Sequence, residues 1–398
     1  MLKQLRRHVL VISQYFYPEQ FRINDICVEW IKRGYEVTVV TGIPNYPYGK
    51  FYDGYGLFKK RKETYNGIQI FRLPIIPRGK NGLMLTINYI SFVISGFFWN
   101  LFNSLKADCV FIYEVSPMTQ ALVGVLYSMK KKVPCYLYVT DLWPENVEAI
   151  AGVKNRYILH AIGKMVDYIY ERCDKIFTSS QSFVEAIAGR GIPIDKIEFW
   201  PQYAEDYYQP INKKKITIPE IPNDGTFNII FAGNIGMAQG LEILPKTAQL
   251  LKKNNARVRF NIVGDGRFKD KLIEMVNNYG VTDMFNFIPK QPSTRIPYFL
   301  AACDAAIICL SKNKVFSMTI PSKLQSYLAC GIPIIASADG EVQKIITEAR
   351  AGVCCNAGDA EMLACKINEL ISKSTEELAI LSRNAYEYSK QHFNKETL

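Results

Sequence analysis

The chain alternates short apolar runs with helical patterns, and it does so in two successive series. In the first half the strand-like runs cover residues 8–13, 35–42, 69–75, 107–114, 134–141, 174–180 and 196–200. In the second half they cover residues 227–234, 258–266, 284–289, 305–310, 333–338 and 352–355. Because strands that alternate with helices form parallel sheets covered on both faces, the sequence predicts two α/β domains.

A charged segment punctuated by prolines, residues 200–220, separates the two series. We therefore predict a first domain over residues 1–205 and a second over 225–379, with a final helix at about 380–398 that packs back on the first domain. The length of 398 residues suits two such domains. Ligands of open parallel sheets bind beyond the carboxyl ends of the strands, so two such domains would offer a cleft between these edges.

The composition is typical of a folded protein in a reducing compartment. Hydrophobic residues make up 48% of the chain and charged residues 21%, which argues against disorder. The ten cysteines include no Cys-x-x-Cys pair, and the three histidines lie far apart. This pattern argues against disulfides and against a metal site. We also expect no cofactor. No signal peptide is recognisable at the start, so we expect a cytoplasmic protein.

The formal net charge of +11 predicts an anionic partner. Lysine and arginine cluster at 59–62, 130–132 and 213–215. Lipid headgroups, a phosphorylated substrate and nucleic acid all fit this charge. One further segment, Leu83–Phe102, is about as long as a membrane span but contains several polar residues. It could span a bilayer, lie inside a domain, or rest on a membrane surface.

Glycine-rich segments follow two strand patterns of the second half. The first covers residues 233–240, and the second contains Gly264, Gly266 and then Arg267. Glycine lets backbone N–H groups approach an anion at the start of a helix, so both segments are candidate phosphate loops. Neither has the dinucleotide spacing Gly-x-Gly-x-x-Gly nor the Walker ending. Tight turns also need glycine, and both interpretations remain open here.

A third candidate is the helix predicted over residues 321–330. Lys323 lies in its first turn, where the helix dipole disfavours a cation unless an anion is near. Ser322 and Ser326 lie on a small, polar face against which a ligand could rest. The opposite face is apolar and predicts core packing; it is formed by Leu324, Tyr327 and Leu328.

Five segments together resemble the retaining nucleotide-sugar glycosyltransferases of family 4. They are residues 12–47, 138–147, 231–242, 263–266 and 320–337. Within this family the chain is similar to a bacterial polysaccharide branch that includes the L-fucosamine (N-acetyl-L-fucosamine) transferases of O-antigen clusters. The resemblance implies the GT-B fold, in which two Rossmann-like parallel α/β domains face each other across a cleft.

The resemblance also implies the substrates and the residues that bind them. The second domain would bind a UDP-sugar donor without a metal, and the first would bind the acceptor. The implied donor-binding residues are Gly233, Asn234, Gly236, Gln239, Gly264, Gly266, Arg267, Ile288, Pro321, Ser322, Lys323 and Ser326. The implied acceptor-binding residues are Tyr15, Tyr17, Glu19 and Asn45. Asp141 stands where the family keeps an acidic residue, so Asp141 and Lys323 are the expected catalytic residues.

The chain departs from the family pattern at three places. Many members have two glutamates spaced Glu-x7-Glu, where this chain has Met318 and Ser326. The arginine and lysine common in the diphosphate loop are replaced by Asn234 and Gln239, and a histidine is replaced by Thr140. A diphosphate would then need positive charge from elsewhere. The nearby candidates are Lys323, Arg267, Lys312 and Lys314.

The expected reaction is transfer of a sugar, such as N-acetyl-L-fucosamine, to a polyprenyl-diphosphate-linked saccharide in O-antigen, capsule or exopolysaccharide assembly. Since no carboxylate stands at Met318, retention by same-face attack fits better than a covalent intermediate. Groups that stabilise the departing diphosphate are then the main catalytic requirement. Asp141 would orient a hydroxyl or act as base, unless it only caps the helix that follows it.

We also expect an anionic membrane surface as a partner, with the protein bound peripherally at the inner face of the cell membrane, and no nucleic acid. Two alternatives remain open at this point. A UDP-sugar epimerase could share the two-domain fold, although it would need acids and histidines that are scarce here. A non-catalytic protein that binds anionic surfaces would also account for the net charge of +11.

Overall fold

The computed structural model describes residues 7–79, 81–213 and 216–398. They form two compact units, one ending at Trp200 and the other beginning at Pro201. Both units are built on a sheet of mainly parallel strands. The expectation of two α/β domains is therefore confirmed. Of the basic segment at 213–215, Lys214 and Lys215 lie outside the described residues.

The first unit has an eight-stranded sheet in the order β3-β4-β2-β1-β5-β6-β7-β8. Its strands are β1 (His8–Ile12), β2 (Glu36–Gly42), β3 (Lys62–Tyr65), β4 (Ile68–Leu73), β5 (Cys109–Glu114), β6 (Cys135–Val139), β7 (Lys175–Thr178) and β8 (Ile197–Phe199). Its helices are α1 (Arg22–Lys32), α2 (Gly82–Phe102), α3 (Ala121–Lys131), α4 (Glu145–Ala151), α5 (Arg156–Arg172) and α6 (Gln181–Ala188). All seven predicted strands are present, with ends within two residues of the prediction.

Strand β3 was not predicted. It pairs antiparallel with β4 through a turn at Asn66 and Gly67, which both have positive φ. An Asn-Gly pair between two strands is a strong hairpin signal. The prediction missed the strand because Lys62–Tyr65 is polar and lies at the edge of the sheet, where no apolar alternation is needed.

The second unit has a six-stranded parallel sheet in the order β11-β10-β9-β12-β13-β14. Its strands are β9 (Phe227–Asn234), β10 (Val258–Asp265), β11 (Phe285–Ile288), β12 (Ala305–Cys309), β13 (Ile334–Ser337) and β14 (Gly352–Cys355). Its helices are α7 (Leu244–Lys253), α8 (Lys269–Asn278), α9 (Ile296–Ala302), α10 (Lys314–Ser317), α11 (Ser322–Ala329), α12 (Glu341–Ala349), α13 (Ala360–Ile371) and α14 (Thr375–His392). All six predicted strands are confirmed to within one residue at each end.

The strands of the second unit are apolar on both faces. Along β9, Ile230 and Ala232 belong to one buried cluster, whereas Ile229 and Phe231 belong to another. Side chains alternate across a strand, so these clusters lie on opposite faces of the sheet and are covered by helices. Such continuous burial leaves the strand ends, and the loops beyond them, as the places where polar groups meet solvent.

The last helix, α14, packs against α11 and α12. The structure therefore groups it with the second unit, which extends to Leu398. We had expected residues from about 380 onward to return to the first domain. The difference arises from apolar packing, because Ala385 and Phe393 are buried in the same cluster as Leu328 and Ile346 of the second unit.

Helix α2 is long and apolar enough to cross a membrane, judged by length and composition alone. Of the most apolar stretch of 18 residues in this helix, 17% is buried inside the protein. The fully buried residues are Asn88, Phe92, Gly96 and Asn100, which recur at intervals of four. One narrow face of the helix thus packs on the first unit, and most of its apolar surface is exposed.

Candidate functional site

The strand order of the second unit reverses between β9 and β12. From β9 the sheet continues to β10 and β11 on one side, and from β12 to β13 and β14 on the other. In open parallel sheets, ligands bind beyond the carboxyl ends of the strands at such a reversal. The predicted glycine-rich segment 233–240 leaves the sheet at this point, so the fold places it where a ligand is expected.

The ends of β9 and β10 form one platform. Gly233 pairs with Gly264, and a β-carbon on Gly264 would lie 2.0 Å from the Gly233 carbonyl oxygen. Only glycine permits this approach. Beyond the strands, the Ile235 amide donates to the Asp265 carbonyl at 2.8 Å, and the Phe268 amide donates to the Ile235 carbonyl at 3.0 Å. The two predicted phosphate loops are therefore joined by hydrogen bonds.

The far end of this platform is held by the loop after β12. Gly240 has a φ of 60°, and a β-carbon there would lie 2.7 Å from the Leu310 carbonyl carbon. The Ser311 amide donates to the Ala238 carbonyl at 3.1 Å, and its hydroxyl donates to the Met237 carbonyl at 2.7 Å. The segment 233–240 is thus fixed from two neighbouring strands.

Lys323 reaches from the first turn of α11 to the underside of this platform. Its ammonium nitrogen donates to the side-chain oxygen of Gln239 and lies 3.9 Å from the centre of the Phe231 ring. A β-carbon on Gly233 would lie 3.6 Å from the same nitrogen. Burial lowers the pKa of Lys323 to about 7, while the Cys309 thiol acts in the opposite direction. The structure therefore brings Lys323, Gly233 and Gln239 together, as predicted.

Two residues of this site were missed by sequence reasoning. Phe231 provides the aromatic face under Lys323. Tyr327, predicted only as a core residue, is 1% exposed, and its hydroxyl accepts from the Ala232 amide at 2.9 Å and lies 3.3 Å from the Ala232 carbonyl. It thereby ties α11 to the end of β9. A hydroxyl on an otherwise apolar helix face was the available signal, since a buried hydroxyl needs a partner.

The structure corrects two of the predicted donor contacts. Ser326 is 6% exposed, and its hydroxyl donates to the Ser322 carbonyl at 3.2 Å. Every residue of α11 from Leu324 onward is buried because the helix also packs against α14, so it has no open polar face there. Ile288 is 2% exposed and belongs to the core. Neither side chain is available to a ligand.

The remaining predicted donor residues lie at the same carboxyl edge of the second unit. Gly233 and Asn234 are exposed, Gly236 and Gln239 are half-buried, and Arg267 is exposed. Pro321 is the N-cap of α11, and Ser322 is exposed at its first position. The exposed side chains of Lys312 and Lys314 come from the segment that precedes α11. The amides and cations thus converge on one edge of the sheet.

In the first unit the strand order reverses between β1 and β5. Glu19, in the connection after β1, is 2% exposed, and its carboxylate accepts from the amides of Asn45 at 2.8 Å and Tyr46 at 2.6 Å. Burial raises the pKa of Glu19 to about 7, although these hydrogen bonds act against the increase. The Asn45 side chain is buried too and accepts from the Arg78 amide at 3.0 Å.

Glu19 and Asn45 were expected to contact an acceptor directly. In the structure their polar atoms instead fix the loops that present Tyr46 and Arg78. These two side chains are half-buried, and the Arg78 guanidinium lies 4.9 Å from the centre of the Tyr46 ring. Tyr46 lies within residues 12–47, one of the segments that carry the resemblance, although it was not singled out there. Arg78 was missed because it lies in no motif. They form a cation and an aromatic ring side by side at this edge.

The two predicted tyrosines pack against other aromatic rings. Tyr15 is 2% exposed and stacks on Phe21, with ring centres 5.3 Å apart. Burial, and then the neighbouring Tyr89, raises the pKa of Tyr15 well above its usual value. Tyr17 is half-buried and stacks on Tyr65 at 3.9 Å. Of the two, Tyr17 keeps surface that a ligand could reach.

Asp141 follows β6 and is half-buried. One oxygen of its carboxylate accepts from the Ser116 amide at 2.7 Å, in the loop after β5. The helix that follows, α4, begins at Glu145 with Pro144 at its N-cap and without a side-chain cap. Helix capping, the alternative role considered for Asp141, is therefore not what the structure contains. The carboxylate instead links the ends of two adjacent strands.

Glu114 lies directly beside Asp141 and was not predicted. It is the last residue of β5, it is fully buried, and its carboxylate accepts from the Asp141 amide at 3.2 Å. Burial raises the pKa of Glu114 well above its usual value, and the negative charge of Asp141 raises it further. Burial and the neighbouring negative charge therefore favour the protonated form of Glu114. A glutamate that closes an apolar run was the available signal.

Among the residues that the structure describes, no three side chains of histidine, cysteine, aspartate or glutamate are placed to hold one metal ion. Among the titratable groups that the structure describes at the two sheet edges are single cations and the adjacent carboxyl groups of Glu114 and Asp141. Such groups can bind an anion, orient a hydroxyl and accept a proton.

Two family models match the chain, one for each unit. The model described as Glycosyl transferase 4-like domain matches residues 20–202, and that described as Glycosyl transferases group 1 matches residues 212–388. Two curated relatives are similar over large parts of the chain. A colanic acid biosynthesis glycosyl transferase, WcaI, of Escherichia coli is 25% identical over 93% of this chain and 92% of its own length. The glycosyltransferase WbjE of Pseudomonas aeruginosa is 26% identical over 63% and 64%.

Solved structures share the fold at low sequence identity. A sucrose-phosphate synthase from Thermosynechococcus elongatus superimposes with a TM-score of 0.74 at 15% identity, over 98% of this chain and 96% of that one. HepE of Anabaena, solved with UDP-glucose, gives a TM-score of 0.69 at 16% identity, over 98% and 96%. These likenesses confirm the predicted GT-B arrangement of two parallel α/β domains.

Proposed function

Because the chain belongs to the group 1 glycosyltransferases of GT-B fold, we propose that it transfers a sugar from a UDP-linked donor to a lipid-linked saccharide. The relatives support a role in polysaccharide assembly, since WcaI is named for colanic acid biosynthesis. We place the reaction at the cytoplasmic face of the cell membrane, where a polyprenyl-diphosphate-linked acceptor would be met. The product would be a unit of O-antigen, capsule or exopolysaccharide.

The observation that supports the donor best is the environment of Lys323. Its ammonium group lies under the Gly233 backbone and bonds to Gln239, and no carboxylate of the described residues pairs with it. A desolvated cation beside glycine amides at a strand-order reversal suits a diphosphate. HepE, whose fold this chain shares, was solved with UDP-glucose. We therefore propose that Lys323 binds the donor diphosphate after releasing Gln239.

The acceptor would bind at the corresponding edge of the first unit. Tyr46 and Arg78 together offer an aromatic face and a cation, which suit a sugar ring joined to a diphosphate. Tyr17 would extend this surface. Asp141 would orient the attacking hydroxyl, with the buried Glu114 positioning the Asp141 backbone.

Leaving-group stabilisation is the main chemical task in this proposal. Negative charge builds on the departing diphosphate in an oxocarbenium-like transition state. The Lys323 ammonium and the amides at Gly233 to Gly236 and at Ser322 would stabilise that charge. Because Met318 stands where a carboxylate would be expected, we propose same-face attack with retention, in which the leaving phosphate accepts the proton of the acceptor hydroxyl. N-acetyl-L-fucosamine is our candidate for the transferred sugar.

A thermal-shift panel of nucleotide sugars tests the donor. UDP-sugars should raise the melting temperature of the wild-type protein more than GDP- or dTDP-sugars do, because binding stabilises the folded state by about 2.7 kcal/mol at a hundredfold excess over Kd. Lys323→Ala should abolish most of this shift. Lys253→Ala, which removes an exposed lysine at the end of α7, should keep it.

The donor identified in this way then serves in a transfer assay with lipid-linked saccharides as acceptors. Sugar should move to the lipid fraction with release of UDP. Conversion of the donor sugar to an isomer without any acceptor would instead favour the epimerase alternative. Stabilisation by GDP-sugars alone would overturn the proposed UDP donor while leaving the family assignment intact.

A further inference from the structure

Helix α2 has the reverse of the usual polarity of a surface helix. Asn88 and Asn100 face the interior of the first unit and are 0% and 4% exposed. Apart from Thr86, whose hydroxyl donates to the Gly82 carbonyl, the outward face carries large apolar side chains with exposed fractions between 46% and 82%: Leu83, Ile90, Ile94, Phe97, Phe98, Leu101 and Phe102. A surface helix in water shows polar residues outside and apolar residues inside. We call this set the outer stripe of α2.

The inner face of α2 is held by specific bonds. The side-chain oxygen of Asn88 accepts from the side-chain nitrogen of Gln14 at 2.8 Å. The side-chain nitrogen of Asn100 donates to the Val123 carbonyl at 3.0 Å. Between them, Gly96 lets α2 approach α3, since a β-carbon there would lie 2.4 Å from Val123. Rotating the helix to bury its outer stripe would break both hydrogen bonds, so the stripe stays outside.

Cations surround the carboxyl end of the same helix. The Lys130 ammonium donates to the last carbonyls of α2, those of Asn100 and Leu101. Lys106 is exposed and follows this end in the chain, and Lys132, the C-cap of α3, is exposed two residues after Lys130. An apolar stripe that is flanked by lysines complements an anionic bilayer, whose headgroups pair with the cations while the acyl region takes up the stripe. A second copy of the chain would instead add more cations.

We propose that the outer stripe of α2 lies in the interface of an anionic lipid bilayer, with the helix parallel to the membrane and Lys106, Lys130 and Lys132 against the headgroups. This deepens the proposed function and rests on it only for the lipid-linked acceptor. Tyr89, on the inner side of α2, lies beside Tyr15 and interacts electrostatically with Asp141. Insertion of α2 into the bilayer interface would therefore bring the carboxyl edge of the first sheet, where we propose that the acceptor binds, close to the membrane.

Vesicle co-sedimentation tests this surface with the full-length protein. Wild-type protein should bind vesicles of phosphatidylcholine with phosphatidylglycerol, and bind phosphatidylcholine alone much more weakly. The double variant Ile94→Ser, Phe98→Ser should bind the anionic vesicles at least about tenfold more weakly, because two apolar side chains no longer insert. Ile380→Ser is the matched control, since Ile380 is 52% exposed on α14, in the second unit.

Two further measurements complete the test. The fluorescence that Phe98→Trp adds to that of the four native tryptophans, obtained as the difference from wild type, should be quenched by lipids brominated near the headgroup and much less by lipids brominated at the bilayer centre. The double variant should keep the melting-temperature shift given by the UDP-sugar, which shows that it folds. If that shift is absent from wild-type protein while vesicle binding persists, the proposed donor fails and this inference stands.

Three results would overturn the inference. The first is equal vesicle binding by the wild type and the double variant. The second is strong quenching of Phe98→Trp from the bilayer centre, which would indicate a spanning helix. The third is a wild-type dimer in sedimentation velocity that the double variant converts to a monomer, which would assign the outer stripe to a second copy of the chain.

Discussion

Lys323 is a cation that the second unit holds with an amide oxygen and an aromatic ring instead of a carboxylate. Burial lowers its pKa from 10.5 to about 7, so near neutral pH a large share of the free protein carries it uncharged. A bound diphosphate favours the ammonium form and raises this pKa again. Under the proposed contact between Lys323 and the diphosphate, donor binding and protonation of Lys323 are therefore linked.

This linkage predicts proton uptake when UDP binds. At a pH of about 8, free Lys323 is mostly neutral, and binding should take up close to one proton for each UDP bound. The affinity for UDP should fall as the pH rises above about 7. Titration calorimetry in two buffers of different ionisation enthalpy measures the number of protons directly.

Lys323→Arg is the control for this effect. Arginine keeps its charge at any accessible pH, so the variant should bind UDP without proton uptake. Equal heats in the two buffers for the wild-type protein would contradict the proposed contact between Lys323 and the diphosphate.

Glu19 gives a second residue-scale prediction, this time about stability. Its pKa is about 7 in the folded protein and 4.5 in the ordinary case. Between these values the folded protein keeps a proton that the unfolded chain has lost. The free energy of unfolding therefore falls as the pH rises through this window, by up to about 3 kcal/mol for this group.

Glu19→Gln reproduces the protonated form and should remove this dependence. We expect wild type and variant to have similar stability at a pH of about 4.5, and the variant to be more stable by up to about 3 kcal/mol at a pH of about 8. Urea denaturation across this pH range measures the difference. Parallel curves for the two proteins would show that Glu19 ionises normally in the folded state.

Sequence reasoning singled out the cations and glycines at the carboxyl edge of the second sheet, but not the side chains that hold them in place. Lys323 was conspicuous because a cation at a helix N-terminus conflicts with the helix dipole. Phe231 and Tyr327 gave little signal, because each continues an apolar pattern and acquires its role only from a neighbour in another element. Glu114 closes such a pattern, and its role depends on Asp141, which follows the next strand along the chain. Ser326 was misjudged because the helix that covers it lies some fifty residues later in the chain.

At the scale of elements, the paired ends of β9 and β10 determine the backbone geometry at the carboxyl edge of the second sheet. Gly264→Ala should lower the free energy of unfolding by about 2 kcal/mol or more, because its β-carbon would lie 2.0 Å from the Gly233 carbonyl oxygen at a positive φ. It should also weaken the UDP-dependent shift in melting temperature, since the platform above Lys323 would be displaced.

Gly82→Ala is the matched control for that substitution. Gly82 begins α2, nothing lies within 4 Å of its would-be β-carbon, and its φ is not positive. We expect a change in unfolding free energy within about 0.5 kcal/mol. If both alanine variants are equally stable, the close contact of the two strand ends is not what requires glycine at 264.

Elements were predictable wherever their own pattern determined them. The parallel strands were found because burial on both faces makes them continuously apolar. The polar edge strand β3 was missed, and α14 was assigned to the wrong unit, because each depends on its neighbours in space. The segment that became α2 was read as apolar with polar interruptions, and only the fold revealed that two of them, Asn88 and Asn100, are buried on the inner face.

At the scale of the whole molecule, two units of the same architecture would divide the work. In our proposal the second would supply a cation and backbone amides for a leaving diphosphate, and the first would supply a half-buried carboxylate and an aromatic surface with a cation for an acceptor. The net charge of +11 fits a protein that meets anionic donor, acceptor and membrane. The repeated strand and helix patterns predicted the two domains, and only the resemblance to family 4 implied this division of roles. The sugar and the linkage depend on details that no pattern in the chain records.

The most direct test of the account is single-turnover transfer by Lys323→Ala, using the UDP-sugar that stabilises the wild-type protein most. If Lys323 stabilises the departing diphosphate, the rate should fall by at least about thirtyfold, equivalent to about 2 kcal/mol in the transition state. Lys253→Ala should transfer at the wild-type rate. A near-normal rate for Lys323→Ala under saturating donor would contradict the central claim.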